Sequence, residues 1–214
     1  MFMSSRLSLF WEISRKIIHL SGLFIVLFYN FLLINFSNRV AILVLTAVLL
    51  LLLEIEYIRL EHKPRVVGLF EGFLRKHEKN QLTGAVFYVI SSIICFSAFD
   101  YWIAVLAMFM LVFGDIFASL MGKTFGRRRL FRKKTWIGTL SGLAANLLVG
   151  ILLLPEFSGL VAIVALVASV VELLTNKLDD NLTVPLFAGF VGQIYVYLFD
   201  LQLPIIQFPN FGFF

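Results

Sequence analysis

Apolar residues in this chain run in long blocks separated by short polar breaks, and the blocks are close to the length that crosses a bilayer. A helix rises about 1.5 Å per residue, so a hydrocarbon core of about 30 Å takes about 20 apolar residues. Seven blocks approach that length, at roughly 17–36, 40–58, 82–99, 101–121, 138–154, 158–175 and 183–200. The fifth is short and would cross nearly upright. The pattern predicts an all-α integral membrane protein, with residues 1–214 forming a single polytopic domain. The segment 64–80 is patterned differently. Val66, Val67, Phe70, Phe73 and Leu74 recur at three to four residues with charges between them, which predicts a helix lying in the membrane interface. It would serve as an anchor, or as a gate over a lipid entrance.

Composition agrees with the pattern: the chain is 60% hydrophobic, with a mean hydropathy of +0.95. Charge then orients the spans. Arg6, Arg15 and Lys16 precede the first span, and six basic residues lie between the second and third. Seven more, Lys123, Arg127, Arg128, Arg129, Arg132, Lys133 and Lys134, lie between the fourth and fifth, and Lys177 lies between the sixth and seventh. Only Arg39 falls on the other side, so 17 of 18 Lys and Arg agree with a cytosolic N-terminus and an outer C-terminus. The net charge of +5 is thus a topology signal and not a sign of nucleic-acid binding. Glu12, Arg15 and Lys16 run straight into the first span with no small-residue cleavage site, unlike a removable signal. The lone Cys95 lies mid-span, which leaves no internal disulfide and no cysteine metal site. Outer loops are short and inner loops long, so chemistry is expected at the cytosolic face of a multi-pass protein. That membrane would be the cell membrane in a prokaryote and one of endoplasmic-reticulum type otherwise. Oligomeric state is not written in the pattern, and a homo-oligomer is compatible with it.

Residues 114–138, GDIFASLMGKTFGRRRLFRKKTWIG, carry the candidate chemistry. Asp115 interrupts an apolar run, and intramembrane carboxylates are costly and generally functional. The run ends in a basic loop broken by glycine, a composition suited to phosphate. Asp115 lies seven residues before Gly122, and Glu172 lies seven before Asp179 on the next span of the same direction. Both acids are therefore expected roughly 10 Å deep on the cytosolic side. Asp179, Asp180 and Asn181 cap the start of the seventh span nearby. Such acids beside a basic loop suit Mg²⁺, which completes its shell with substrate phosphates. The plainer alternative is that Asp115 and Glu172 pair with lysines or backbone donors. Gly122-Lys123-Thr124 is not a nucleotide-binding P-loop, because Phe117 stands where its first glycine belongs and no strand precedes it. Gly138, Gly142, Asn146 and Gly150 share one face of the fifth span, which predicts close helix packing. Asn146 would be interhelical glue, or would hold a carboxylate or a substrate hydroxyl. His19 is either an interfacial structural residue or a lipid-side contact. Glu54, Glu56 and Arg59 read as local helical pairs.

Four stretches resemble the dolichol kinase, phytol kinase and CTP-dependent diacylglycerol kinase family of membrane lipid kinases. They are SRKIIHLSG (14–22), GDIFASLMGKTFGRRRL (114–130), KKTWIGTLSG (133–142) and VELLTNKLDDNLTVPLFAG (171–189). The Asp-Asn-Leu-Thr-x-Pro piece is the most specific. Ile137 stands where the family pattern has Glu. The middle stretch also resembles CDP-diacylglycerol synthases, but the closing stretch does not. The resemblance implies phosphoryl transfer from CTP to a lipid alcohol at the cytosolic face, with release of CDP. It implies that Lys123, Lys133, Lys134 and Asn181 contact the nucleotide, and that glycines 122, 126 and 138 let the backbone approach it. Glu172 and Asp180 would hold Mg²⁺, with Asp115 beside them orienting or deprotonating the lipid hydroxyl. The alternatives are a CDP-lipid synthase that releases pyrophosphate, a diacylglycerol kinase using CTP, and a transporter or scaffold. The polar residues crowd one leaflet, which argues against transport.

Overall fold

The computed structural model describes residues 20, 22–62, 78–175 and 178–204. Helices dominate: α1 (Gly22–Asn35), α2 (Asn38–His62), α3 (Gly84–Ala98), α4 (Tyr101–Phe125), α5 (Trp136–Leu153), α6 (Ser158–Leu174) and α7 (Asp180–Leu198). Each falls on one of the apolar blocks. Five of them, α2 and α4 to α7, are long and apolar enough to cross a membrane, α6 counting with the short 3-10 turn before it. The helices α1 and α3 are apolar but shorter, at 14 and 15 residues. The protein is an all-α membrane protein. The expected interfacial helix at 64–80 lies outside the described residues, apart from a 3-10 turn at Glu78–Asn80. His19 lies outside them too.

Helix ends follow local chemistry. The helix α7 starts three residues before the expected span, because Asp179 caps it: its Oδ1 accepts from Asn181 N at 2.9 Å. Thr135 caps α5, with Oγ1 accepting from Gly138 N at 3.2 Å. Pro185 sits inside α7 and has no N–H to give the carbonyl one turn back, that of Asn181.

The helix α4 is the hub. About 67% of its span is buried, against 17% for α2, and it touches α1, α3, α5, α6 and α7. Ile103, Leu106, Met108, Met110, Leu111 and Val112 fill its buried faces. Its closest partner is α5, and the expected small-residue face explains why. A Cβ on Gly142 would stand 3.2 Å from the Gly114 carbonyl oxygen, and one on Gly150 would meet Val161 and Met110 at 2.4 and 2.9 Å. With no hydrophobic drive between helices in lipid, such close backbone approach is what van der Waals association requires.

The basic loop between α4 and α5 forms a small antiparallel hairpin of β1 (Arg129–Phe131) and β2 (Lys134–Thr135), which the sequence reading did not anticipate. Arg132 makes the turn at φ 52°, and its guanidinium lies over the Phe131 ring, 5.1 Å from the centroid.

Candidate active site

The hairpin carries Lys134 to Glu172. Lys134 Nζ donates to Glu172 Oε1 at 3.0 Å and to the Glu172 backbone carbonyl. Glu172 also feels the negative charges of Asp115 and Asp180. Three of the sequence-derived acids thus share one electrostatic neighbourhood, Asp115 ten residues before the end of α4, Glu172 two before the end of α6 and Asp180 at the start of α7. Asp115 and Glu172 are each 8% exposed, so their charges act where water screens little. Pairing of Glu172 with a lysine was the plainer expectation for this acid, and the Lys134 bridge is such a pair. It also changes Lys134's place: in this structure it serves the acid and is not held out toward solvent, whereas Lys123 and Lys133 are exposed.

Among the described residues, no three His, Cys, Asp or Glu side chains converge into a ready-made metal cage. The donor chemistry nevertheless fits Mg²⁺. The donors are hard carboxylate oxygens, and an ammonium already stands as the cation against one of them. A Mg²⁺ here would take one or two carboxylates and draw the rest of its shell from phosphate and water.

The glycines of the loop face one another. A Cβ on Gly138 would stand 2.6 Å from the Ala118 carbonyl oxygen and 3.1 Å from Gly122 Cα, and one on Gly126 would be 2.5 Å from Thr135 Oγ1. Gly122, Gly126 and Gly138 therefore bring the end of α4, the hairpin and the start of α5 into backbone contact. Their first use is closure of this corner, where open cradling of phosphate was expected.

Asn146 lies about two turns further along α5 than Gly138. It is 1% exposed, its Nδ2 donates to Ser169 Oγ at 3.3 Å, and its Oδ1 has no hydrogen-bond partner. Its amide sits against Gly114, the residue before Asp115, and Ser169 is one turn from Glu172. Asn146 thus ties α5 to the two helices that carry the acids, and leaves a buried acceptor unfilled. Asn181 resembles it: Nδ2 donates to Asp179 Oδ1 at 2.8 Å, while Oδ1 is buried without a partner.

A second network was not legible in the sequence. Arg59 and Glu56 form the expected helical pair, with Nε donating to Oε2 at 3.0 Å, but the pair reaches much further. Arg59 Nη1 donates to the Glu78 carbonyl at 2.9 Å and Nη2 to the Gln81 carbonyl at 2.6 Å. Thr83 Oγ1 donates to Glu56 Oε1 at 2.9 Å, and Gly84 N donates to Glu78 Oε1 at 3.0 Å. A Cβ on Gly84 would lie 2.6 Å from Asn181 Nδ2, so this network abuts the start of α7. Glu78, buried beside that junction, is the acid that sequence reasoning left in an interfacial helix.

With this geometry in place, likeness to known proteins becomes informative. The chain is 35% identical over 126 residues to phytol kinase 1, chloroplastic, of Arabidopsis thaliana, which is 49% of this chain and 41% of that protein. It is 31% identical over 145 residues to the probable phytol kinase, chloroplastic, of Triticum aestivum, covering 58% and 48%. It is 34% identical over 106 residues to the phytol kinase of Synechocystis sp. (strain ATCC 27184 / PCC 6803 / Kazusa), covering 44% and 45%. The chain spans less than half the length of these curated relatives. No solved structure matches it. The sequence pattern of the cytidylyltransferase family matches residues 7–180, a stretch that contains the basic hairpin, Asp115, Glu172 and Asp180, and the chain belongs to that family.

Proposed function

We propose that the protein is a CTP-dependent lipid kinase that phosphorylates an isoprenoid alcohol of the phytol type at the cytosolic face of its membrane. The observation that carries this reading is the Lys134–Glu172 bridge, which sets a basic loop against buried acids at one level. The likeness to phytol kinases supports the acceptor class.

In the proposed reaction the lipid hydroxyl oxygen bonds to the γ-phosphorus of CTP and the bond to the β-phosphate oxygen breaks. The products are lipid phosphate and CDP. Phosphoryl transfer is mostly positioning and charge neutralisation. Lys123 and Lys133 would bind the triphosphate, and Lys134 would turn from Glu172 to a phosphate as the nucleotide arrives. Asp115 would take the hydroxyl proton, within reach of Asn146, whose unfilled Oδ1 suits an incoming O–H. Mg²⁺, held by Glu172 and Asp180 with Asp115 beside them, would neutralise charge on the phosphates. The second reading, a cytidylyltransferase, is favoured by the family's own description. It differs in attacking the α-phosphorus and releasing pyrophosphate. Incubation with labelled CTP and a panel of lipid alcohols and lipid phosphates separates the two: CDP and a lipid monophosphate made from an alcohol support the kinase, whereas pyrophosphate and a CDP-lipid made from a lipid phosphate refute it.

Two predictions follow from the placement of the loop. A cysteine at Arg128 should react with a membrane-impermeant reagent only from the cytosolic side, and one at Glu156 only from outside. Labelling of Arg128 from outside would remove the loop from the nucleotide's compartment. Lys123→Ala and Lys133→Ala should each weaken CTP binding by about 1.5–3 kcal/mol, as expected for a charge-assisted contact. Arg39→Ala, at the opposite end of the bundle, should not. Titration of CTP against the three variants decides it, and equal affinities would leave the loop with a topological role only.

A further inference from the structure

We infer that Arg127, Arg128, Trp136 and Ile137 form a docking site for a lipid phosphate monoester, outside the corner where Lys134 meets Glu172. These four residues line a cleft of about 420 Å³ between the end of α4 and the start of α5. Neither guanidinium has a hydrogen-bond or ion-pair partner among the described residues. The other two linings are apolar and open, Trp136 at 51% and Ile137 at 41% exposure. Such a floor beside two cations suits an amphiphile, whose headgroup meets the charges while its chain covers the apolar side chains. Trp136 is the first residue of α5, at a helix end where an indole commonly marks the membrane interface. The exposed face of α5 continues upward from Ile137 through Leu140 and Leu148, 56% and 61% exposed, at helical spacing. A chain lying along that stripe places its headgroup at the arginines.

The charge of the headgroup follows from the pair. Two unpaired guanidiniums match a phosphate monoester, which carries about −1.5 to −2 near neutrality and can accept paired N–H donors. A phosphodiester headgroup offers one charge to two cations. Ile137 bears on the same point. It stands where the resembled kinases carry Glu, and a carboxylate there would occupy the arginines itself. The apolar residue leaves them available. This inference rests on the lipid kinase reading only for its biological meaning, since the monoester is the class of product that reaction makes. The site would take the product from the transfer corner toward the bilayer.

The test is binding, not turnover. Purified protein is titrated with nanodiscs of phosphatidylcholine containing 5% of either phosphatidate, a monoester, or phosphatidylglycerol, a diester. Phosphatidate should bind at least about ten-fold more tightly than phosphatidylglycerol, and millimolar inorganic phosphate should not displace it. Arg127→Gln with Arg128→Gln should reduce phosphatidate binding about ten-fold, to the phosphatidylglycerol level. Ile137→Glu, which retains both arginines, should do the same by supplying a competing carboxylate. Equal binding of the two lipids would reduce the cleft to general attraction for anionic membranes and overturn the proposal. Displacement by CTP at its own binding affinity would assign the arginines to the nucleotide and also overturn it. Unchanged phosphatidate binding in Ile137→Glu, which makes no demand on folding beyond an exposed position, would overturn it independently. A protein that binds phosphatidate in this way yet releases pyrophosphate from CTP would retain the site and lose the kinase reading.

Discussion

Asp115→Asn and Glu172→Gln should each yield a protein that inserts and folds but transfers phosphoryl groups about 100-fold more slowly or worse, the scale set by loss of one well-placed charge at a transition state. The structure gives reasons to expect folding to survive. Glu172→Gln keeps the shape of the side chain, and Lys134 Nζ keeps its bond to the backbone carbonyl of residue 172. The lysine side chain is 34% exposed, so its freed charge can turn to water. That distinguishes it from a sealed ion pair, where loss of one partner costs about 3–5 kcal/mol. Asp115→Asn is nearly isosteric and removes one of the charges that act on Glu172. The two variants should differ in kind. Glu172→Gln should raise the Mg²⁺ concentration needed for half-maximal rate, whereas Asp115→Asn should lower turnover at saturating Mg²⁺. Rates at graded Mg²⁺, with melting temperature as the folding control, separate these outcomes. A folded variant with wild-type transfer would strip that acid of its proposed role.

The parts of this site that were legible in the sequence were those set by local period and by depth. Seven apolar blocks placed seven helices, because in lipid each backbone polar group must be satisfied within its own segment. Asp115 and Glu172 were expected seven residues from their span ends; α4 in fact runs ten residues past Asp115 and α6 only two past Glu172, so the count found the shared neighbourhood of the two acids but not their spacing. The face of Gly138, Gly142 and Gly150 named its own use. What escaped was set by contacts between distant residues. No period in the sequence ties Arg59 to the carbonyls of Glu78 and Gln81, and both bonds end on backbone atoms that every residue carries. The hairpin escaped because charge hid its alternation: Arg129, Phe131 and Lys134 lie in a stretch read as a basic, phosphate-suited loop. The glycines of the loop were read as phosphate contacts because composition suggests permissiveness without saying toward what. The structure turns them toward Ala118, Gly122 and Thr135.

Arg59→Ala should be the most destabilising single exchange at this end of the bundle, by about 3–5 kcal/mol, the range for removing one partner of a buried ion pair. The two side chains are only 9% and 8% exposed, so unlike Lys134 neither can turn to water. Loss of the guanidinium leaves Thr83 Oγ1 as the donor to the Glu56 carboxylate among the described residues, and takes one donor each from the carbonyls of Glu78 and Gln81. Arg59→Lys should recover only part of this, since a point charge cannot reach three acceptors as the planar fork does. Adding Glu56→Gln to Arg59→Ala should recover stability, because the amide removes the stranded charge while its oxygen still accepts from Thr83. The coupling between the two sites in a double-mutant cycle should exceed about 1 kcal/mol. Melting of the detergent-solubilised single and double variants measures it. The same exchange should reach the proposed active site. Gly84 lies against Asn181 Nδ2, and the segment Glu78–Gly84 is held in place by Arg59, so slackening it loosens the start of α7 and with it Asp180. Arg59→Ala should therefore raise the Mg²⁺ requirement as Glu172→Gln does, and Glu56→Gln should relieve the stability loss more than the Mg²⁺ effect, since it does not restore the bonds to the two carbonyls. An Arg59→Ala protein that melts within about 0.5 kcal/mol of wild type, the range of an ordinary surface exchange, would mean that the network is dispensable and that α7 is positioned by its helix neighbours alone.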